Sequence, residues 1–220
     1  MVDGNAGSKF DPFSMAISLP LARAYADMGL NEYNKIAEQY RLAMENGEIP
    51  PFDGSSAIAA ASVLALSAEL LFKVARFQTT GAYPKGHDLL ALVKLLSDDE
   101  IKFLRAAFTK LLEENENILS VKIELLPEGA PPASGPLPRQ ATLTFDEAVS
   151  IASPLFVKLR YVYENAAVGF DATVDFRCLL PLVNSLLALV EMRRGGGSWT
   201  LSFGDGVGRG FSHERGDFGA

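Results

Sequence analysis

From Ala57 to Phe72 the chain is apolar at every position except Ser62, Ser67 and Glu69. The run is shorter than the roughly 20 residues that a bilayer-spanning helix needs. A helix that is apolar on nearly all sides must be surrounded by other elements. The sequence therefore reads as a central helix from Ala57 to Gln78, capped by Ser55 or Ser56, inside an all-α, up-and-down bundle of six to seven helices.

The flanking segments supply the other helices. Phe13 to Met28 reads as a first helix stopped by Gly29, after a loose lead-in over residues 1–12. A second runs from Asn31 to Glu45, with Tyr33, Ile36, Ala37, Tyr40 and Met44 at helical spacing. Gly47 and Pro50-Pro51 end it. After the turn Gly81–Gly86, a short helix from His87 to Leu96 places Leu89, Leu92, Val93 and Leu96 on one face.

Ser97-Asp98-Asp99-Glu100 and Thr144-Phe145-Asp146-Glu147 are capping boxes, in which the hydroxyl and the carboxylate each satisfy an orphan backbone N–H. The first opens a helix to Asn115, with Ile101, Leu104, Phe108, Leu111 and Leu112 as its buried stripe. The second opens one to Ala167, bent at Pro154. Val121 to Pro138, with five prolines, reads as a surface loop. Asp171 or Thr173 starts a last helix to Met192, kinked at Pro181. Residues 13–193 form one helical domain, and the glycine-rich residues 194–220 read as a disordered tail with one short strand at Trp199–Phe203. No period-two alternation points to a sheet.

Charge and cysteine usage narrow the function classes. The net charge of -7 leaves no generic basic footprint for DNA, and it disfavours docking on anionic membranes. The lone Cys178, in an apolar run, can form neither an intrachain disulfide nor a cysteine metal site and reads as a buried thiol. The N-terminus has no basic and apolar leader pattern, so a cytoplasmic protein is expected. Gly204–Gly210 fails the dinucleotide fingerprint. The two histidines have no metal-ligand spacing, and no serine sits in a nucleophile elbow. No cofactor is expected.

Two polar clusters remain. Glu69 and Lys73 lie one helical turn apart, followed by Gly86-His87-Asp88-Leu89. The pair is either a rim salt bridge or a buried carboxylate that needs a cationic partner. Asp88 suits a helix N-terminus, and the His87 ring can bond to backbone or to Glu69. In the second cluster, Phe156 to Glu164, Arg160 and Glu164 are a turn apart beside Tyr161. Arg160 either lies on an ordinary helix surface or points inward to pair with Glu69 or Asp88.

Taken together, Glu69-x-x-x-Lys73 on an apolar helix, Gly86-His87-Asp88-Leu89 with Leu92 beyond a turn, and a distant Arg160-Tyr161 resemble the HEPN superfamily over residues 57–167. The resemblance implies a helical bundle that often forms a homodimer. It also implies a role in defence or toxin–antitoxin systems, as a metal-independent ribonuclease or as a non-catalytic binder of a partner protein, a nucleotide or RNA. Nuclease members carry an arginine followed at a short set spacing by a histidine. Here Asn165 stands in the nearest equivalent place, and Arg209 to His213 is too short a spacing. Asparagine cannot shuttle a proton as imidazole does. A binder without the nuclease motif is thus expected. The alternatives are an atypical ribonuclease, in which Arg160 holds the phosphate and Tyr161, Glu164 or His87 moves a proton, and a purely structural interaction module.

Overall fold

The computed structural model describes residues 12–48, 54–115, 118–125, 143–160, 170–194, 199–203 and 211–215. The chain is an all-α bundle. Six helices are described: α1 (Pro12–Glu45), α2 (Gly54–Thr80), α3 (Leu89–Val93), α4 (Asp98–Glu113), α5 (Phe145–Arg160) and α6 (Phe176–Arg193). Helix α2 packs against α1, α5 and α6, and α6 also packs against α4 and α5. The apolar run Ala57–Phe72 is thus the bundle's axis. By length and composition alone α2 could also cross a membrane, but most of it is buried inside the protein.

Helix α1 is continuous where two helices were expected. Gly29 does not end it. A Cβ built on Gly29 would lie 2.5 Å from Leu64 Cγ and 3.0 Å from Val63 Cγ2, so the missing side chain lets α1 press onto α2. Ala22, Ala26, Ala57, Ala60, Ala61 and Ala68 are all buried and continue this small-residue seam. Dispersion contacts are made only where surfaces meet at van der Waals distance, and small side chains permit that along the whole length of the pair. Helix α2 also begins earlier than expected, at Gly54, so that Ser55 and Ser56 lie within it.

Both capping boxes form. Ser97 Oγ accepts from the Glu100 amide while Glu100 accepts from Ser97 N–H at 2.6 Å. Thr144 and Glu147 do the same, and the backbone and hydroxyl donors of Thr144 hold the Glu147 carboxyl below its ordinary range. Helix α4 meets α5 through the edge-to-face rings of Phe108 and Phe145 and the exposed pair Arg105–Asp146.

Two antiparallel ribbons correct the expectation that no sheet forms. Strand β1 (Ser120–Leu125) pairs with β2 (Phe170–Asp175) in the register Ser120 to Asp175 through Leu125 to Phe170. The ribbon is anchored on the bundle. Tyr33 OH accepts from the Leu119 amide, Phe176 N–H donates to the Leu119 carbonyl, and the rings of Tyr33 and Phe176 pack at 4.9 Å. Burial pushes the Tyr33 phenol up to about 12.

Because β2 runs to Asp175, α6 starts at Phe176 with Asp175 as its cap, later than Asp171 or Thr173. Beyond α6, the short strand expected at Trp199–Phe203 is present as β3, and it pairs with β4 (Phe211–Arg215) in a second ribbon within the segment otherwise expected to be disordered. The expected extension of α5 to Ala167 lies outside the described residues, as do most of the proline-rich segment after Leu125 and the glycine-rich residues 204–210.

Candidate functional site

Glu69 is the polar centre of the bundle. It sits on α2 at 3 % exposure, amid Ala68, Leu71 and Phe72, which are fully buried. A lone ionised carboxylate there would cost several kcal/mol, roughly, in lost hydration. Two nitrogens offset this. Lys73, one turn on and itself only 7 % exposed, donates from Nζ to Glu69 Oε1 at 2.7 Å. The pair is therefore buried rather than a rim bridge. His87 Nδ1 lies 2.9 Å from the same oxygen. Glu69 Oε2 is buried and has no hydrogen-bond partner among the described residues.

The loop after α2 carries His87 back to Glu69. Gly81 and Gly86 have φ of +65° and +94°, a left-handed region that glycine enters at little cost. Gly81 N–H closes the end of α2 on the Phe77 carbonyl. Tyr83, between the two glycines, sets its ring 5.9 Å from Lys73 Nζ and 6.5 Å from the Phe77 ring. Burial raises the Tyr83 phenol above its ordinary range, the Ser18 hydroxyl on α1 lowers it in part, and the Glu69 charge raises it. Sequence reasoning missed Tyr83. An aromatic between two turn glycines was its only local signal.

A carboxylate oxygen accepts and cannot donate, so the contact requires the proton on His87 Nδ1. That tautomer leaves Nε2 as an acceptor. The His87 side chain is 68 % exposed, so Nε2 faces solvent. The arrangement is a carboxylate–imidazole dyad. The buried acid fixes the ring, and the outer nitrogen is free to take a proton or, once protonated, to bond an anion. Lys85, two residues earlier, is also exposed.

Asp88 has a different task. Its carboxylate accepts from Leu90 N–H at 2.9 Å, which caps α3, and from Ser153 Oγ at 2.6 Å. Ser153 Oγ also accepts the Leu89 amide. One hydroxyl thus ties the start of α3 to α5, a link that no sequence spacing announced. The Ser153 hydroxyl, followed by the amides of Leu90 and Ala91, holds the Asp88 carboxyl below its usual range. A depressed carboxyl stabilises the fold above the unfolded value of about 3.9, and that contribution is lost as pH falls through the lower folded value. Asp88→Asn is therefore expected to flatten the acid limb of stability. Urea midpoints from about pH 6 to about pH 3 check this, the parent falling more steeply than the variant.

The inward reading of Arg160, a pairing with Glu69 or Asp88, falls on a side chain outside the described residues. Lys73 and His87 hold Glu69, and Ser153 holds Asp88. Tyr161 and Glu164 also lie outside the described residues. Two other buried acids, Glu100 and Glu191, also have arginine partners. Glu191 pairs with Arg23 and Arg194, Glu100 pairs with Arg193, and Arg193 also donates to the Ala75 carbonyl. Cys178 is buried and unpaired, and burial pushes its thiol well above the ordinary value. Among the described residues no group of three His, Cys, Asp or Glu side chains could hold a metal ion. No family model, curated protein or solved structure matches this chain.

Proposed function

We propose that this chain is a HEPN-like binding protein without nuclease chemistry, and that His87 is its contact with an anionic ligand, a nucleotide or RNA. The observation that carries the reading is the exposed imidazole held by a buried carboxylate. A surface histidine needs no such support, and the oriented ring in its doubly protonated form presents Nε2–H as a donor to a phosphate oxygen. The arginine–histidine spacing of the nuclease members is missing, which favours binding over cleavage.

The test is fluorescence polarisation with labelled RNA of mixed sequence and with a labelled nucleotide, in chelator. Binding is expected to fall at least tenfold, about 1.4 kcal/mol, in His87→Ala, whose thermal melting stays close to the parent because the ring is exposed. No binding by the parent to either probe would instead support an interaction module without such a ligand. RNA cleavage that Arg160→Ala abolishes would support the ribonuclease reading.

A further inference from the structure

In its resting state the dyad presents a lone pair, not a proton. Glu69 accepts from His87 Nδ1–H, so the neutral ring carries its free electron pair on Nε2. The histidine side chain is 68 % exposed and the acid that holds it is 3 % exposed. Glu69 Oε1 already accepts from Lys73 Nζ at 2.7 Å, so it meets the ring as a fixed negative charge. An oriented nitrogen lone pair at the surface, backed by a buried anion, is the arrangement of an activated nucleophile. The role of general base is less well served, since a base needs a hydroxyl to deprotonate. Ser153 Oγ, tied to the residue after His87, gives its proton to Asp88 instead, and Asp88 is occupied by that hydroxyl and by the Leu90 amide.

We infer that His87 Nε2 is a phosphoryl-acceptor site, modified by a small acyl phosphate. The Nε2 lone pair attacks phosphorus and the N–P bond forms. The bond from phosphorus to the acyl oxygen breaks, and its electron pair leaves on a carboxylate. Nothing is oxidised or reduced. Nδ1 keeps its proton, so the ring becomes an imidazolium whose charge develops 2.9 Å from Glu69 Oε1. An opposite charge already in place where charge develops lowers the barrier. Attack through Nδ1 is closed, because that nitrogen carries the proton and faces the buried acid. The new group sits at the exposed edge of the ring and needs no cavity. The inference shares the dyad with the binding reading above but does not rest on RNA or nucleotide binding. A phosphoryl group on Nε2 removes the Nε2–H donor that such a ligand needs, so modification and anion binding exclude each other.

Acetyl phosphate, supplied near neutral pH to the full chain carrying His213→Ala, tests this with His87 as the sole histidine. Intact mass and phosphorus NMR are expected to show one phosphoryl group on Nε2, lost in acid and stable in base as an N–P bond is. The same chain unfolded in urea is expected to react roughly tenfold more slowly, or slower still, the scale of losing one charge-assisted hydrogen bond. Glu69→Leu with Lys73→Met leaves no unpaired buried charge, and its rate is expected to fall to that of the unfolded chain. An unmodified His87, a phosphoryl group on Nδ1, an equal rate in the unfolded chain or an unchanged rate in the paired variant would overturn the inference. Polarisation on unmodified protein reads RNA and nucleotide binding separately, so the two readings fail independently.

Discussion

Lys73→Met is expected to lower stability by about 3–5 kcal/mol, the range for removing one partner of a buried ion pair. The substitution nearly preserves the side chain's length and apolar stem, so packing is little changed. What changes is Glu69. Its Oε1 loses the 2.7 Å ammonium contact, and its Oε2 has no partner among the described residues to compensate. His87 remains, but on the solvent side, where it contributes less.

The companion result separates charge from packing. Glu69→Leu with Lys73→Met removes both ionic groups and is expected to return stability close to the parent, since well-packed apolar replacements of buried pairs are often neutral or better. Urea denaturation followed by circular dichroism measures both. A Lys73→Met variant within about 1 kcal/mol of the parent would mean that water solvates Glu69 as it does a surface acid.

Gly29→Ala is expected to destabilise the bundle by about 1–3 kcal/mol, the usual cost of overpacking a closed core. The sign is the informative part. At an exposed position inside a helix the same change stabilises by about 1 kcal/mol through helix propensity. Here the new Cβ would meet Leu64 Cγ at 2.5 Å and Cδ2 at 2.9 Å. Leu64 is itself almost wholly buried and has no open side to turn toward. Gly29→Val should cost more. Because the conflict is with one residue, Leu64→Ala should be less damaging in the Gly29→Ala background than alone, a coupling that a double-mutant cycle in urea resolves.

Gly29 also marks where the sequence was misleading. A glycine one residue past an apolar stripe is the ordinary signal of a helix end, and nothing local separates it from a glycine needed for close approach to another helix. That distinction lies on Leu64, thirty-five positions away. Features settled within a few residues were legible. Both capping boxes form, the apolar run is the core helix, and Glu69 pairs with Lys73 across one turn.

Features that depend on distant pairing were not. Strand β1 finds β2 some fifty residues later across the proline-rich segment, and the period-two alternation of each, Val121-Ile123-Leu125 and Phe170-Ala172-Val174, was missed beside the prolines and helix-capping residues. In the second ribbon β3 was legible at Trp199–Phe203, but its partner Phe211–Arg215, farther along the glycine-rich tail, was not. The site divides in the same way. Glu69, Lys73 and His87 were legible and do meet. Asp88 was legible as a cap, whereas Ser153 and Tyr83 enter only through tertiary contact.

The central claim is that the buried acid of α2 fixes the His87 ring with its outer nitrogen free. The most direct measurement is a long-range nitrogen–carbon NMR spectrum of the imidazole at neutral pH, in a His213→Ala background so that His87 is the only histidine. The account predicts the Nδ1–H tautomer for His87, lost in favour of a tautomeric mixture in Glu69→Leu. A parent spectrum showing the Nε2–H form, or a mixture indifferent to Glu69→Leu, would contradict it.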